Sequence, residues 1–530
     1  MADNLDMEYL WHYVRDWAEK KPDAEALVFG DTRMTWKEFD AAVDRTARAF
    51  LEAGVGKGDR VAMVSMARIE FMTTFMAASK VGAIWLGLSP KFTADELRYI
   101  LGHSQPTVLI TLDKYMDINL VDAGITFGQE FPCIKKVLGI GEPHDLVEDF
   151  GAFVNQERPE LEEALAARTA EIDPDDDVLL MYTSGSTGKP KGVLHSQRNI
   201  IENIRLEVQY FGFDEDTRSL LHFPINHVAA DVEIGFGAIF GGSVLVMMDH
   251  FDPQTSLETI EKEGITVIGQ VPVMFLMQMQ APKFKEMDWS KVKAFIWGGA
   301  AAPKMLLQIL HGIAEKTGAR LLTGYGSTEL CGFATYSMPD DSLDLLSRTA
   351  GKVVAPFEMR IVDENRNDVP QGTVGEIAMR GPSIMKGYLN NATATAAVID
   401  ADGWFYTSDL GYLDEEDNLV ISGRSSEMFK TGGENVFPRE VEDVLESHPA
   451  VLFAAVIGVP DELYQEVGHA FIMMKPGQES TGDALRAYCK ERLANFKVPK
   501  HFDLRPVLPL LPNGKVNKMA LKRELGLVKE

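Results

Sequence analysis

Residues 183–192 read TSGSTGKPKG, with three glycines, hydroxyls on Thr183, Ser184, Ser186 and Thr187, and Lys189 and Lys191 on either side of Pro190. Such a stretch suits neither a strand nor a regular helix. Its composition is that of a phosphate cradle, in which backbone N–H groups and hydroxyls converge on phosphate oxygens and lysines add charge. It is not a Walker loop. That pattern needs Gly-Lys followed by Ser or Thr, with a further glycine five residues earlier. Here Gly188–Lys189 is followed by Pro190, and position 183 is threonine. Proline at that place also cannot continue a hydrogen-bonded helix. Taken alone, the stretch reads equally well as an ordinary glycine-rich surface loop.

The elements around it decide how such a loop is held. VLLMY (178–182) is an apolar run of strand length directly before it. Upstream, Phe39, Ala42, Val43, Ala47, Phe50 and Leu51 recur at helical spacing within 35–53. VAMVSM (61–66), a helical pattern through Ala77, and AIWLGL (83–88) follow in strand, helix, strand order, as a parallel α/β unit requires. ITVIGQV, VKAFIWGG and ARLLTGYG repeat the short apolar run with glycine at or near its end, which places loops at the carboxyl edge of a sheet. From 357 to 381 the texture changes to FEMRIVDENRNDVPQGTVGEIAMRG, alternating and turning as a small antiparallel β region does. A helix-bearing segment of roughly a hundred residues starts near Gly423, enough for a small domain. The acid runs at Asp173–Asp177 and Asp414–Asp417 read as solvated turns, not metal sites.

Length and composition set the bounds. A chain of 530 residues exceeds one ordinary core, so two or more domains are expected. Apolar residues make up 45% and charged residues 25%, the balance of a soluble globular protein. A net charge of −27 disfavours non-specific binding to nucleic acid or anionic membrane. Cys133, Cys331 and Cys489 form neither a disulfide framework nor a CxxC signature, which points to a reducing compartment. A zinc site is not indicated. The start, MADNLDMEYLWHYVRDW, carries acids where a signal peptide needs a basic region. Ile234 to Met248 is too short and glycine-rich to span a bilayer. The expectation is a cytoplasmic protein without an integral membrane segment, with surface association and a homodimer left open.

Six stretches then agree. YTSGSTGKPKG resembles the phosphate-binding signature of the adenylate-forming superfamily, which includes AMP-dependent acyl- and aryl-CoA synthetases. GGAAAP (298–303), GYGSTE (324–329), FYTSDLG (405–411), GRSSEMFKTGGENVFPREVE (423–442) and LPNGKVNK (511–518) resemble further elements of that family, in the same order. The resemblance implies an AMP-binding domain over 1–424, of α/β sheets plus a small β region, and a smaller mobile α+β lid domain over 425–530. It implies ATP, Mg²⁺ and coenzyme A, and a reaction of carboxylate with ATP to acyl-adenylate, followed by transfer to a thiol. Since carboxylate and α-phosphate are both anions, neutralising charge and aligning the reactants must supply most of the catalysis.

By the same resemblance the ATP site comprises Thr183, Ser184, Gly185, Ser186, Thr187, Gly188, Lys191, Gly299, Gly324, Tyr325, Gly326, Ser327, Asp409 and Arg424. Glu329 would bind Mg²⁺ and Thr328 a phosphate oxygen; read without the family, Glu329 is an acid at a helix start. Tyr325 would lie against adenine, and is otherwise a core aromatic. Asp409 would grip the ribose hydroxyls, as a carboxylate acceptor suits two vicinal donors. Its neighbour Ser408 stands where relatives often have glycine. Arg424, otherwise a surface charge, would touch ribose. Lys515 would bridge the α-phosphate and the attacking carboxylate. A Gly-Lys beside Lys518, Lys522 and Arg523 otherwise reads as a solvated tail. Ser426 stands at the hinge where relatives often carry Asp or Lys. Gly432 and Gly433 would let backbone approach the pantetheine arm.

His227 would gate the acyl pocket, and reads nearly as well as a structural histidine; His195 and His222 read as structural. The pocket would be lined by Val228, Ala229, Ile234, Phe236 and Ala300, Ala301 and Ala302, an apolar set implying a hydrophobic acid, fatty or aromatic. Val228 replaces the aspartate that pairs with an α-amino group in peptide-synthetase domains, and an unpaired ammonium there is costly. Met274 and Met277 fit core packing better than a pocket wall. The expected activity is an AMP-forming acyl-CoA ligase. The alternatives are an adenylating enzyme with a carrier-protein or other acceptor, and a non-catalytic nucleotide-binding relative.

Overall fold

Apolar runs of four or five residues build the parallel parts of two large sheets in the computed structural model, which describes residues 7–183, 189–475, 477–511 and 516–528. One sheet has seven strands in the order Arg320–Thr323, Ala294–Trp297, Val267–Gln270, Arg218–Leu221, Val244–Met247, Glu25–Phe29, Thr32–Thr35. All neighbours are parallel except the final pair, a hairpin. The other has eight strands in the order Gly387–Tyr388, Lys191–Ser196, Asp177–Thr183, Ile84–Leu88, Arg60–Val64, Val108–Leu112, Lys136–Ile140, Glu148–Asp149. Ile84–Leu88 and Val108–Leu112 are buried along their whole length, which is why they read as unbroken apolar runs and not as alternation.

The helices follow the spacing of their apolar residues. Trp36–Glu52 starts at Thr35, whose hydroxyl accepts from the Glu38 N–H while the Glu38 side chain accepts from the Thr35 N–H. It buries Phe39, Ala42, Val43, Ala47 and Phe50 on one face. The glycine-rich stretch differs from a strand–loop–helix arrangement. Asp177–Thr183 and Lys191–Ser196 pair antiparallel, with Thr183 opposite Lys191, so the loop joins two strands of a hairpin.

Between Glu358 and Arg424 an antiparallel four-stranded sheet forms in the order Glu358–Val362, Gly375–Arg380, Phe405–Leu413, Leu419–Arg424. The chain then enters a separate sheet built from Phe429–Thr431, Glu434–Val436, Val451–Asp461, Gln465–Met474 and His501–Arg505. Pro438–Glu446 and Gly482–Lys490 pack with this sheet around Val441, Leu445, Leu485 and Cys489. Leu452 reaches across to the apolar cluster of Phe295, Trp297 and Leu306 under the seven-stranded sheet. The acid runs are turns: the Asp173 and Asp414 carboxylates accept backbone N–H groups of Asp175 and of Glu416 and Asn418.

Candidate active site

The strand Lys191–Ser196 carries two groups that tie the loop to the GYGSTE segment. His195 is fully buried, and its Nε2–H donates to the Thr328 carbonyl oxygen at 2.7 Å. Because a carbonyl only accepts, Nε2 holds the proton; burial lowers the ring to about 4, so it stays neutral. At the head of the strand, Lys191 Nζ lies 4.9 Å from the Tyr388 ring centroid. The Tyr388 hydroxyl donates to Glu329 Oε1 at 3.2 Å. Burial holds the Glu329 carboxyl above the usual carboxylate range. Thr183 and Lys191 therefore open a loop whose base is linked through Tyr388 to Glu329. Ser184, Gly185, Ser186, Thr187 and Gly188 lie outside the described residues.

Around Asp409 the geometry is tighter. Phe405–Leu413 and Leu419–Arg424 pair so that Asp409 faces Arg424, whose Nε donates to Asp409 Oδ1 at 2.9 Å. Tyr325, buried, donates its hydroxyl to Asp409 Oδ2 at 2.7 Å. Each carboxylate oxygen retains a lone pair for a further donor. Burial, then the Asp409 charge, pushes the Tyr325 phenol far up, so it remains a donor. Ser408 sits at φ +62°, the left-handed conformation that glycine would adopt without strain.

Glycines in GYGSTE answer to backbone contact. A Cβ on Gly324 would press on the Thr335 carbonyl oxygen, and one on Gly326 on that of Gly332, both far inside van der Waals distance. Gly326–Ser327 pairs with Gly332–Phe333, and the Ser327 hydroxyl then accepts from the Leu330 N–H, turning the chain so that Thr328 and Glu329 follow. Gly299 is exposed at φ +76°.

The pocket residues divide. His227 is half-buried; its Nδ1 accepts from the Ala229 N–H at 3.1 Å, and its ring lies 6.2 Å from that of Phe223. Val228 and Ala229 are buried beside it, while Ala300 and Ala301 are exposed. Ile234 lies against Gly269. Phe236 packs on Tyr13 in the main core, and Ala302 joins the cluster under the seven-stranded sheet. A separate cavity of about 320 Å³ is lined by His222, Phe223, Met274, Met277, Leu510 and Leu511. Burial lowers the His222 ring to about 3.

Ser426 is exposed in a turn in which the N–H groups of Glu427 and Met428 donate to the Arg424 carbonyl oxygen. Gly432 and Gly433, at φ +60° and +90°, form the exposed tip of the hairpin Phe429–Thr431 and Glu434–Val436. Lys515 lies outside the described residues. Three links escaped the sequence reading: His195 to Thr328, Tyr388 to Glu329, and Lys518 to Glu427 and Glu442. Lys518 read as part of a solvated tail, yet its Nζ lies 2.6 Å from Glu427 and 2.9 Å from Glu442. The pairing partners lie far away along the chain, and no local spacing marks them.

A Mg²⁺ site built from a protein cage is absent among the described residues, since no group of three His, Cys, Asp or Glu side chains converges there. A lone, partly buried Glu329 fits a magnesium ion that takes one carboxylate and otherwise phosphate oxygens and water. Among the described residues no helix is long and apolar enough to cross a membrane.

The model of the AMP-binding enzyme family matches residues 14–389, and that of the AMP-binding enzyme C-terminal domain matches 440–515. The putative acyl-CoA synthetase YngI of Bacillus subtilis is 32% identical, over 96% of this chain and 95% of its own. The long-chain-fatty-acid–CoA ligase FadD13 of Mycobacterium tuberculosis is also 32% identical, over 98% and 99%. Among solved structures, the o-succinylbenzoate CoA synthetase of Bacillus subtilis, with its acyl-adenylate intermediate bound, superposes with a TM-score of 0.80. It shares 28% identity over 96% of this chain and 97% of that one. The chain belongs to the AMP-binding enzyme family and is an AMP-forming acid–thiol ligase of the acyl-CoA synthetase type.

Proposed function

We propose that the protein joins a hydrophobic carboxylic acid, fatty or aromatic, to ATP as an acyl-adenylate, and then passes the acyl group to coenzyme A with release of AMP. The observation that carries this reading is the cluster of Tyr325, Asp409 and Arg424, with Tyr325 joined to Glu329 four residues on by the turn at Ser327. In it Asp409 offers one free lone pair on each oxygen to the two ribose hydroxyls, while Arg424 and Tyr325 hold the carboxylate in place. Thr328, its carbonyl fixed by His195, would donate its hydroxyl to a phosphate oxygen. Glu329 would hold Mg²⁺, which would neutralise phosphate charge when bound. Thr183 and Lys191 frame the loop for the β and γ phosphates, and Lys515 would stabilise charge as the carboxylate oxygen attacks the α-phosphorus and pyrophosphate leaves.

For the acid, His227 and Val228 form the inner wall and Ala300 and Ala301 the open side of the proposed acyl pocket. The relatives act on acids as different as long-chain fatty acids and o-succinylbenzoate, and so support the class without selecting a member. For the thiol step the Gly432–Gly433 tip, now in solvent, would have to come to the site by rotation about Ser426. The cavity wall at Leu510 and Leu511 sets the stretch before Lys515 against the large domain, an arrangement suited to the adenylation half. Three free cysteines fit a reducing compartment, and the cytoplasm is the proposed location. The test is acid-dependent AMP release across short, long and aryl acids, with CoA compared against other thiols. A preference for apolar acids with CoA is expected. A flat response across acids, or AMP release indifferent to CoA, contradicts the reading.

A further inference from the structure

We propose that Lys518 is a positioning residue for adenylation: its ammonium clamps the terminal segment to the residues that follow Arg424, and so sets where Lys515 is presented. The inference rests on the proposed role of Lys515. It begins with the base of the terminal loop. Leu510 and Val516 form an antiparallel bridge, and the Asn517 N–H donates to the Pro509 carbonyl oxygen at 2.7 Å. Asn517 then caps the helix Lys518–Glu524 by accepting from the Ala520 N–H. Lys515 thus stands one residue before a bridged position and three before Lys518.

Lys518 Nζ meets Glu427 Oε2 at 2.6 Å and Glu442 Oε1 at 2.9 Å, and its side chain is only 20% exposed. Burial alone would lower the ammonium pKa, but Glu442 and Glu427 outweigh it and keep the charge on. Each carboxylate has a second tie. Glu442 Oε1 accepts from the Val456 N–H at 2.8 Å, which fixes it to Val451–Asp461, the edge strand of the small domain's sheet. The Glu427 N–H donates to the Arg424 carbonyl oxygen at 3.0 Å. Arg424 in turn holds Asp409. A continuous path therefore runs from Asp409 through Arg424 and Glu427 to Lys518. It crosses from the proposed ribose site to the terminal segment without passing through the ninety residues of intervening chain.

A partly buried ammonium held between two carboxylates has one geometry, whereas a solvated lysine has many. Only the step that uses Lys515 should depend on it. Lys518→Met is expected to lower acid-dependent ATP–pyrophosphate exchange by about thirtyfold to a hundredfold, chiefly in kcat, as a misplaced group does. Thioester formation from a preformed acyl-adenylate should stay within about threefold of the wild type, because that step does not use Lys515. Lys518→Arg should recover most of the exchange. Glu427→Gln, at a position 34% exposed, should give an intermediate loss with little change in melting temperature, which guards against a Lys518→Met variant that fails to fold. Equal loss in both half-reactions, or no loss in either, overturns the proposal. Wild-type protein without exchange, or a Lys515→Ala variant with normal exchange, would instead remove the reading on which it rests.

Discussion

A side chain on Gly324 or Gly326 would strike a backbone carbonyl oxygen, whereas nothing lies within 4 Å of the corresponding position at Gly433, and at Gly432 only Tyr464 does, at 3.5 Å. The first pair is half-buried among the short strands around Tyr325 and Glu329. The second pair sits at an exposed hairpin tip, held in the left-handed region by its φ values alone. In GYGSTE, glycine lets backbone approach backbone, and the turn that carries Thr328 and Glu329 is fixed as a result. In KTGGEN, glycine leaves room that the resting chain does not fill. That is the form expected of a segment that meets its ligand only after moving.

Gly326→Ala is the largest test of this contrast. The clash is with main chain, so rotamer changes cannot relieve it, and a loss of at least about 3 kcal/mol of stability is expected. Adenylation should fall with it. Urea denaturation and ATP–pyrophosphate exchange measure both, and a stable, active variant would break the comparison. Gly433→Ala should behave differently. Its strain is local, about 1–2 kcal/mol for the left-handed conformation. Exchange should remain near wild type while thioester formation from a preformed acyl-adenylate falls by about tenfold. Equal damage to both steps would mean that the tip is structural like its counterpart.

The smallest effect belongs to Ser408. Glycine there would relieve left-handed strain, offset in part by the entropy of the unfolded chain, for a net gain of about 0.5 kcal/mol. The Michaelis constant for ATP should change by less than about twofold, since Asp409 keeps Tyr325 and Arg424. A weaker nucleotide affinity would show that the serine shapes the proposed ribose site directly.

What could be read from the sequence follows range. The parallel strands were legible because burial on both faces writes an unbroken apolar run, as in Ile84–Leu88, and the helix 36–52 because one buried face writes a period. The hairpin was not. Lys191–Ser196 reads KGVLHS, too polar at its ends to announce a strand, and it is held by pairing with Asp177–Thr183. The proposed acyl-pocket set could not be separated from the core in sequence, because an apolar residue near a pocket looks the same as one in the core. Phe236 and Ala302 pack into core clusters, while Ala300 and Ala301 open to solvent. The links through His195, Tyr388 and Lys518 join residues far apart in the chain, at positions whose local sequence asks for nothing. Tertiary pairing made those choices.

The central claim is a division of labour between the site around Asp409 and Glu329, with Lys515, and the Gly432–Gly433 tip. Its most direct measurement is the Lys515→Ala variant assayed separately in the two half-reactions. Acid-dependent ATP–pyrophosphate exchange should fall by a factor on the order of a hundred or more, while a preformed acyl-adenylate and coenzyme A still give thioester at close to the wild-type rate. Exchange at the wild-type rate would contradict the account.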